Sequence, residues 1–84
     1  MIYFIRNSNG HIKIGFTNRP IEARMQELQA ANATPLTLIG TIDGNWRTEK
    51  FLHKSFSMYQ CKNGGNEWYH PTPTMLKSIE CLFV

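Results

Sequence analysis

Two short apolar segments joined by an asparagine–glycine turn constrain this chain more than any other feature. The segments read IYFIR (residues 2–6) and HIKIGFT (residues 11–17), and NSNG lies between them. β-branched and aromatic residues favour strands, and Asn-Gly is a strong signal for a hairpin turn. In the return segment, Ile12 and Ile14 alternate with polar residues, which is the period of a strand. The sequence therefore predicts an antiparallel hairpin at the start of the fold.

Helical and extended segments follow the hairpin. NRPIEARMQELQAANA starts a helix that ends near Ala31, and PLTLIGTI is a predicted third strand. A second helix is predicted from Trp46 to about Met58, with Asn45 as its cap. A glycine-punctuated loop, with EWY as a candidate extended segment, precedes the last helix, PTPTMLKSIECLFV. The order ββαβαα predicts a small α+β fold in which three helices flank a three-stranded antiparallel sheet.

Length, charge and cysteine content set limits on the function. The 84 residues predict a single domain over 1–84, which buries about 60–65% of the surface that its unfolded chain exposes. No apolar run approaches the roughly 20 residues of a membrane span, and the first residues do not resemble a signal peptide. Two cysteines are too few for a disulfide framework, so we expect reduced thiols and a cytoplasmic location. A net charge of +3 is compatible with a polyanionic partner.

One carboxylate interrupts the apolar stripe of the second helix. On helical spacing the inward stripe reads Asn45, Glu49, Leu52 and Phe56. A buried carboxylate is costly unless a cation or hydrogen bonds satisfy it, so Glu49 needs a partner. Arg24, on the edge of the apolar stripe of the first helix, is one candidate partner, and a bound metal ion is the other.

Four ionisable side chains lie on four of the predicted elements. Tyr3 and Lys13 lie on the two hairpin strands, and Arg24 and Glu49 lie on the first two helices. In a structural interpretation, Arg24 and Glu49 form an ion pair and Tyr3 is a core aromatic with its hydroxyl at the rim. In a functional interpretation, the four side chains converge on one surface. The pattern alone favours the structural interpretation, because most charges at the edge of a core are structural.

An ordered set of motifs resembles the GIY-YIG nuclease superfamily. IYFI, KIGFT, EAR in the first helix and a glutamate in the second follow its order and spacing over nearly the whole chain. EKFLHKSF and EWY are similar to motifs of a small phage and bacterial branch with a KIG-type second motif, of the meiotically-up-regulated-gene or phage open-reading-frame type. Met1-Ile2-Tyr3 lacks the usual glycine, and Lys13 stands where tyrosine is usual, as in some restriction-enzyme members.

This resemblance implies a divalent-metal-dependent endonuclease that hydrolyses phosphodiester bonds in DNA. It implies that Tyr3 is the general base acting on the attacking water. Free tyrosine has a pKa of about 10, so Lys13 or another cation has to favour its phenolate. Arg24 fits the bidentate geometry of a phosphate, and Glu49 can hold one Mg²⁺ or Mn²⁺ ion. His53, one turn after Glu49, either relays a proton, binds phosphate or orients the water on the metal, or is a packing histidine.

Three further residues are candidate contacts to the substrate. Gly15 lets the backbone approach the substrate or the first helix closely, or is simply a strand-end glycine. Trp68 and Tyr69 either stack on bases or close the core of the domain. No zinc site is predicted, because the paired short spacings of such sites are absent from the set Cys61, His70 and Cys81.

Two classes of function are open at this stage. One is an endonuclease with little sequence specificity, because no separate DNA-recognition domain is expected within residues 1–84. The other is a catalytically weak or inactive module on the same fold that binds nucleic acid or protein. Either way we expect nucleic acid rather than a membrane as partner, DNA before RNA, and a location in the cytoplasm of a bacterial host if a phage encodes the protein. A homodimer is an option, because two copies of so small a domain can hold both strands of a duplex.

Overall fold

A computed structural model describes residues 1–61 and 68–83 of the chain. It has the expected α+β architecture, with three helices and an antiparallel sheet. The elements in chain order are β1 (Ile2–Arg6), β2 (Ile12–Phe16), α1 (Ile21–Ala30), β3 (Thr37–Ile42), α2 (Trp46–Ser55), a single 3-10 turn (Ser57–Tyr59), β4 (Trp68–Tyr69) and α3 (Pro73–Leu82).

The hairpin predicted from the Asn-Gly turn is confirmed. β1 and β2 are antiparallel, with Tyr3 opposite Gly15 in the register. The Asn7 side-chain oxygen accepts hydrogen bonds from the backbone N–H groups of Asn9 (3.0 Å) and His11 (2.9 Å), which closes the turn. Gly10 has a φ of 86°, a backbone conformation that glycine adopts without the steric cost of a Cβ. Local sequence alone therefore accounts for the turn.

The prediction of three strands is wrong, because the sheet has four in the order β3-β1-β2-β4. β4 comprises the tryptophan and tyrosine of the EWY motif, and the glutamate of that motif, Glu67, lies outside the described residues. β4 pairs with β2 on one side, and on the other an isolated bridge joins Gln60 to Tyr69. Two residues are too few to show strand periodicity, so pairing with distant segments, rather than local pattern, creates this strand.

One face of the sheet carries the main hydrophobic core. The face is formed by alternate residues of the strands, and the first turns of α3 and the second half of α2 cover it. The buried cluster consists of Ile2, Phe4, Ile12, Ile14, Leu52, Phe56, Tyr69, Met75 and Ile79. The ring of Phe83, just beyond α3, packs edge-on against Phe4 with the ring centroids 5.5 Å apart.

The opposite face of the sheet carries the candidate site residues of the hairpin. Because side chains alternate between faces, Tyr3, Ile5, Lys13 and Gly15 share this second face. Tyr3 and Ile5 are almost completely buried even though they do not belong to the main core. α1 approaches this face, since its Arg24 side chain reaches the Tyr3 ring. The sheet therefore separates α1 from the core that α2 and α3 cover.

The second helix begins where the sequence predicts and ends earlier. Asn45 caps it, and its side-chain oxygen accepts from the backbone N–H groups of Arg47 (2.9 Å) and Thr48 (3.3 Å). Asn45 is exposed, so its place in the predicted inward stripe is wrong: its side chain turns back to the helix end. The helix stops at Ser55, and the 3-10 turn replaces the predicted continuation to Met58.

The three α-helices have ten residues each. Their bounds agree with the predicted positions of three helices to within a few residues. In the part of the chain that the structure describes, no helix is long and apolar enough to cross a membrane.

Candidate active site

Tyr3, Gly15 and Arg24 form one contact cluster on the second face of the sheet. The Arg24 Nε–H donates a hydrogen bond to the Tyr3 hydroxyl oxygen over 3.3 Å. The Tyr3 ring lies directly over Gly15, because a Cβ placed on that glycine would come 2.3 Å from the Tyr3 hydroxyl. Gly15 therefore makes room for a tyrosine ring from the neighbouring strand. The sequence analysis instead considered a close approach of the backbone to the substrate or the first helix, or a simple strand-end glycine.

A chain of ion pairs leads from the arginine that binds the Tyr3 hydroxyl to a second arginine. Arg24 also pairs with Glu27, with Arg24 Nη1 3.2 Å from Glu27 Oε2, and Glu27 forms a second ion pair with Arg19. The hydrogen bond to Tyr3, and after it the pairing with Glu27, raises the pKa of Arg24, while partial burial opposes this rise. Arg19, followed by Arg24, holds the pKa of Glu27 below its usual range. Arg24 and Glu27 are therefore both charged at neutral pH.

A shallow surface pocket of about 400 Å³ adjoins this cluster. Its lining residues belong to the turn between β2 and α1 and to α1 itself: Phe16, Thr17, Asn18, Arg19 and Arg24. Two guanidinium groups line it, and Glu27, which is not among its described lining residues, pairs with both of them. Planar guanidinium groups present forked donors that match phosphate oxygens. The pocket therefore has the charge and the donors of an anion site.

Arg19 is a site residue that the sequence analysis missed. It does not lie on any regular element, so neither helical nor strand periodicity marks it. The signal that could have identified it is its position in the short connection from β2 to α1, which starts two residues after Gly15. Loops held between rigid elements often carry binding residues.

Lys13 lies on the same face as Tyr3, one pleat further along the hairpin. Its side chain is only 7% exposed, and its Nζ lies 5.4 Å from the centroid of the Trp68 ring. Lys13 and Trp68 face each other in the register of β2 and β4. A cation over an indole face is a favourable contact. Trp68, which the sequence offers as either a stacking or a core residue, is half-buried beneath this lysine.

Tyr69 points to the other face of the sheet and belongs to the main core. It is completely buried, and its ring lies 5.8 Å from that of His53 between their centroids. A buried ring offers no face to a nucleotide base, so the stacking interpretation is not kept for Tyr69. The alternative, that this aromatic closes the core, describes what the structure shows.

His53 connects α2 to the edge of β2. Its Nε2 lies 2.8 Å from the Ile14 carbonyl oxygen, and a carbonyl only accepts, so Nε2 carries the proton. Met1 and Thr17 exchange backbone hydrogen bonds of 2.8 and 3.0 Å. Hydrogen-bonded and non-hydrogen-bonded pairs alternate along an antiparallel ladder, so Ile14 is in a non-hydrogen-bonded pair with β1 and its carbonyl points away from that strand. Among the described residues, β4 pairs with Ile12 and Lys13 of β2, and His53 donates to the Ile14 carbonyl just beyond them.

Glu49 lies one turn before His53 on the same side of α2 and is half-buried. Within residues 1–61 and 68–83, its carboxylate makes no hydrogen bond or ion pair. The predicted alternative of an ion pair between Arg24 and Glu49 is therefore wrong. The physical reason is that Glu27, one turn along α1, is the carboxylate that reaches Arg24.

The contacts described above divide the predicted site residues into two groups. Tyr3, Gly15 and Arg24 form the first, on the second face of the sheet. Glu49 and His53 form the second, on α2, and His53 brings this helix to the β2 edge between Lys13 and Gly15. No hydrogen bond among the described residues connects Glu49 to Tyr3 or Arg24. β2 is the element that both groups share.

Replacing Gly15 with alanine should destabilise the protein by displacing the Tyr3 ring. The new methyl group would overlap the ring, and overpacking of this kind costs about 1–3 kcal/mol. In a domain of this size each kcal/mol lowers the melting temperature by roughly 4–8 °C. Thermal unfolding followed by circular dichroism measures the change. The same substitution in a Tyr3→Leu background should cost clearly less, and an equal cost in both backgrounds would contradict the predicted overlap.

The comparisons with known proteins identify a family. The T5orf172 domain matches residues 1–81, which is nearly the whole chain. No curated protein and no solved structure matches the sequence significantly. The expected likeness to a domain of phage open-reading-frame type is confirmed at this level. On this match, the chain belongs to the T5orf172 domain family.

Proposed function

We propose that this protein is a divalent-metal-dependent endonuclease of the GIY-YIG type that hydrolyses phosphodiester bonds in DNA. The observation that carries the proposal is the Tyr3 hydroxyl held by Arg24 above Gly15, beside a pocket lined by two arginines. Hydrolysis of a phosphodiester needs a base for water and positive charge for the phosphate oxygens. The cluster offers both kinds of group in contact with one another.

Arg24 and Arg19 act on the phosphate. In the free protein Glu27 pairs with both guanidinium groups, and these ion pairs are partly exposed. Partly exposed ion pairs of this kind contribute little to stability, so a phosphate can compete for the arginines at small cost. Once drawn to the phosphate, the two guanidinium groups offset the charge that develops on the phosphate oxygens. The family resemblance assigns this role to Arg24, and the pocket adds Arg19.

Tyr3 acts as the base once Arg24 has moved. Tyr3 is only 1% exposed and its hydroxyl accepts from Arg24, so in this proposal the Arg24 side chain moves before water reaches that oxygen. A phosphate that draws the guanidinium into the pocket opens this path. The phenolate oxygen then takes a proton from the attacking water, whose oxygen bonds to phosphorus as the bond to the leaving oxygen breaks. Lys13, one pleat further along the same face, adds positive charge to this side of the sheet.

Glu49 is the residue that fits a single Mg²⁺ or Mn²⁺ ion. Its half-buried carboxylate makes no hydrogen bond or ion pair in the described part of the chain, and hard oxygen donors suit these ions. When bound, such an ion supplies positive charge that favours the leaving oxygen and lowers the pKa of water. His53 holds α2 against β2 and so positions Glu49 at the edge of the strand that carries Gly15. His53 is therefore a positioning residue in this proposal.

One observation favours the second candidate, a nucleic-acid-binding module without useful catalysis. The base proposed for the reaction is almost fully covered, whereas the arginine-lined pocket is open to solvent. A binding module needs only the pocket and the positive net charge of +3. Cleavage and binding measured on the same preparation distinguish the two candidates.

Purified protein should convert supercoiled plasmid DNA to the open circular form in the presence of Mg²⁺ or Mn²⁺. EDTA should prevent the conversion, and a single-stranded RNA of similar length should be cut more slowly. One site cuts one strand, so nicked circles should precede linear DNA, whereas a homodimer acting on both strands would give linear DNA directly. Binding of DNA in a gel-shift assay without cleavage under any metal condition would reject the nuclease and leave the binding module.

A further inference from the structure

Three metal-ligating side chains meet at the end of the sheet far from Arg24. They are His11, Cys61 and His70, and one donor atom from each lies within 4.8 Å of the donors of the other two. The two imidazole rings are edge to face, with their centroids 5.0 Å apart. In the described part of the chain, no other group of three histidine, cysteine or acidic side chains comes this close.

The backbone ladder fixes the positions of these three residues. Ile12 pairs with Tyr69, so the register brings His11 and His70 opposite each other across β2 and β4. The Cys61 N–H donates to the Trp68 carbonyl over 2.9 Å. These contacts place the three donors on three adjacent extended segments.

Further hydrogen bonds hold the ligand-bearing segments in place. The His70 N–H donates to the Tyr59 carbonyl over 2.7 Å, on the same side of β4 as Cys61. The Asn7 side chain accepts from the His11 N–H over 2.9 Å, so the hairpin turn anchors the third ligand. A site whose backbone is already ordered loses little further entropy when an ion binds.

The cluster lies apart from the contact between Tyr3, Gly15 and Arg24. His11 precedes Gly15 by four residues along β2, which at about 3.3 Å per residue is roughly 13 Å. Cys61 is buried and reduced, His11 is half-buried and His70 is exposed, so the cluster opens to solvent on the His70 side.

We propose that His11, Cys61 and His70 bind one Zn²⁺ ion, with the fourth coordination position open to solvent. A thiolate and two imidazoles are ligands that zinc prefers, whereas Mg²⁺ and Mn²⁺ prefer oxygen. Donor atoms around tetrahedral zinc lie about 3.3–3.6 Å apart, given its bond lengths. Rotating the three side chains so that each donor atom moves by roughly 1 Å would bring the donors from within 4.8 Å of one another to these separations.

The bound ion would join three segments that are distant in sequence. It links β2, β4 and the segment that pairs with β4 on its outer side. β4 has only two residues, so its few hydrogen bonds make it the least supported strand of the sheet. Small domains often gain stability from a metal that connects such segments. Zinc binding should therefore stabilise the folded protein.

Proton release should accompany binding. Burial raises the pKa of the Cys61 thiol above its ordinary value, so the thiol is protonated in the metal-free protein at neutral pH. Zinc binds the thiolate, so binding displaces this proton and the affinity rises with pH.

The test is metal binding by the metal-free wild-type protein, with Co²⁺ as a spectroscopic probe and Zn²⁺ as competitor. We expect one ion per chain, tetrahedral d–d bands and a charge-transfer band from thiolate to Co²⁺. At free zinc 100-fold above its Kd, the melting temperature should rise by roughly 10–20 °C. Cys61→Ser, His11→Asn and His70→Asn should each weaken zinc binding by at least about 100-fold.

Cys81→Ser is the matched control, because Cys81 is the other thiol and is exposed on α3. This variant should keep the charge-transfer band and the zinc affinity of the wild type. His70 is exposed, so His70→Asn is expected to fold even if Cys61→Ser does not. No thiolate band in the wild type, or wild-type zinc affinity in folded His70→Asn, would overturn the proposal. The measurements use no DNA, so their outcome is independent of nuclease activity.

Discussion

Glu49→Gln should lower the Mg²⁺-dependent nicking rate by at least about 100-fold while the protein stays folded. Glutamine keeps the volume of glutamate but loses the charge that holds the ion, and 100-fold corresponds to about 2.7 kcal/mol of barrier. Had Glu49 been the partner of Arg24, its loss would cost about 3–5 kcal/mol of stability. Arg24 pairs with Glu27 instead, so this cost is not expected. Plasmid nicking and thermal unfolding of the same preparation measure both quantities.

Glu22→Gln is the matched control for this variant. Glu22 is the acidic residue in the first turn of α1, as Glu49 is in the first turn of α2. Each substitution removes a carboxylate from a helix N-terminus, which costs about 0.3–1 kcal/mol. Glu22→Gln should therefore lower the melting temperature by about as little as Glu49→Gln does, and it should nick DNA at the wild-type rate. A fall in stability of 3 kcal/mol or more for Glu49→Gln alone would show that Glu49 has a structural partner.

Tyr3→Phe should reduce nicking by about 10²–10⁴-fold, the usual contribution of a general base. The substitution removes one oxygen and leaves the buried ring above Gly15 in place. Arg24 loses one acceptor but keeps Glu27 and solvent, so the stability cost should be about 1 kcal/mol. Plasmid nicking and thermal unfolding of Tyr3→Phe and of the wild type measure the two effects.

Tyr59→Phe provides the control for removing a tyrosine hydroxyl. Tyr59 packs against the main core, and its ring centroid lies 6.4 Å from that of Phe56. Its hydroxyl makes no hydrogen bond in the described part of the chain, so the variant should keep both stability and nicking. Tyr3→Phe that nicks DNA at the wild-type rate would exclude Tyr3 as the base.

Local sequence signals predicted most of the fold. The Asn-Gly turn, the Asn45 cap and the periodic apolar residues are short-range features, and the elements that they predict are present. β4 could not be predicted in this way, because a two-residue strand exists only through its partners on β2 and residues 59–61. The same limit applies to the cluster of His11, Cys61 and His70, whose members meet through the register of these strands.

The site was predicted less completely than the fold. Residue types and motif order identified Tyr3 and Arg24 as candidates, and the structure brings them into contact. The partner of Arg24 was not predictable, because pattern alone does not say on which face of a sheet each helix packs. Gly15 showed the same difficulty, since its role depends on a ring from the opposite strand. Glu49→Gln and its control Glu22→Gln test whether Glu49 binds a metal ion.

The hydrogen bond from His53 to the Ile14 carbonyl has a consequence for how α2 responds to acid. The neutral imidazole that carries its proton on Nε2 presents an N–H to this carbonyl, and so does the imidazolium, which carries a proton on both nitrogens. Either form of the ring therefore keeps the donor that holds α2 at the edge of β2. Acid is accordingly not expected to release the helix that carries Glu49 through this hydrogen bond.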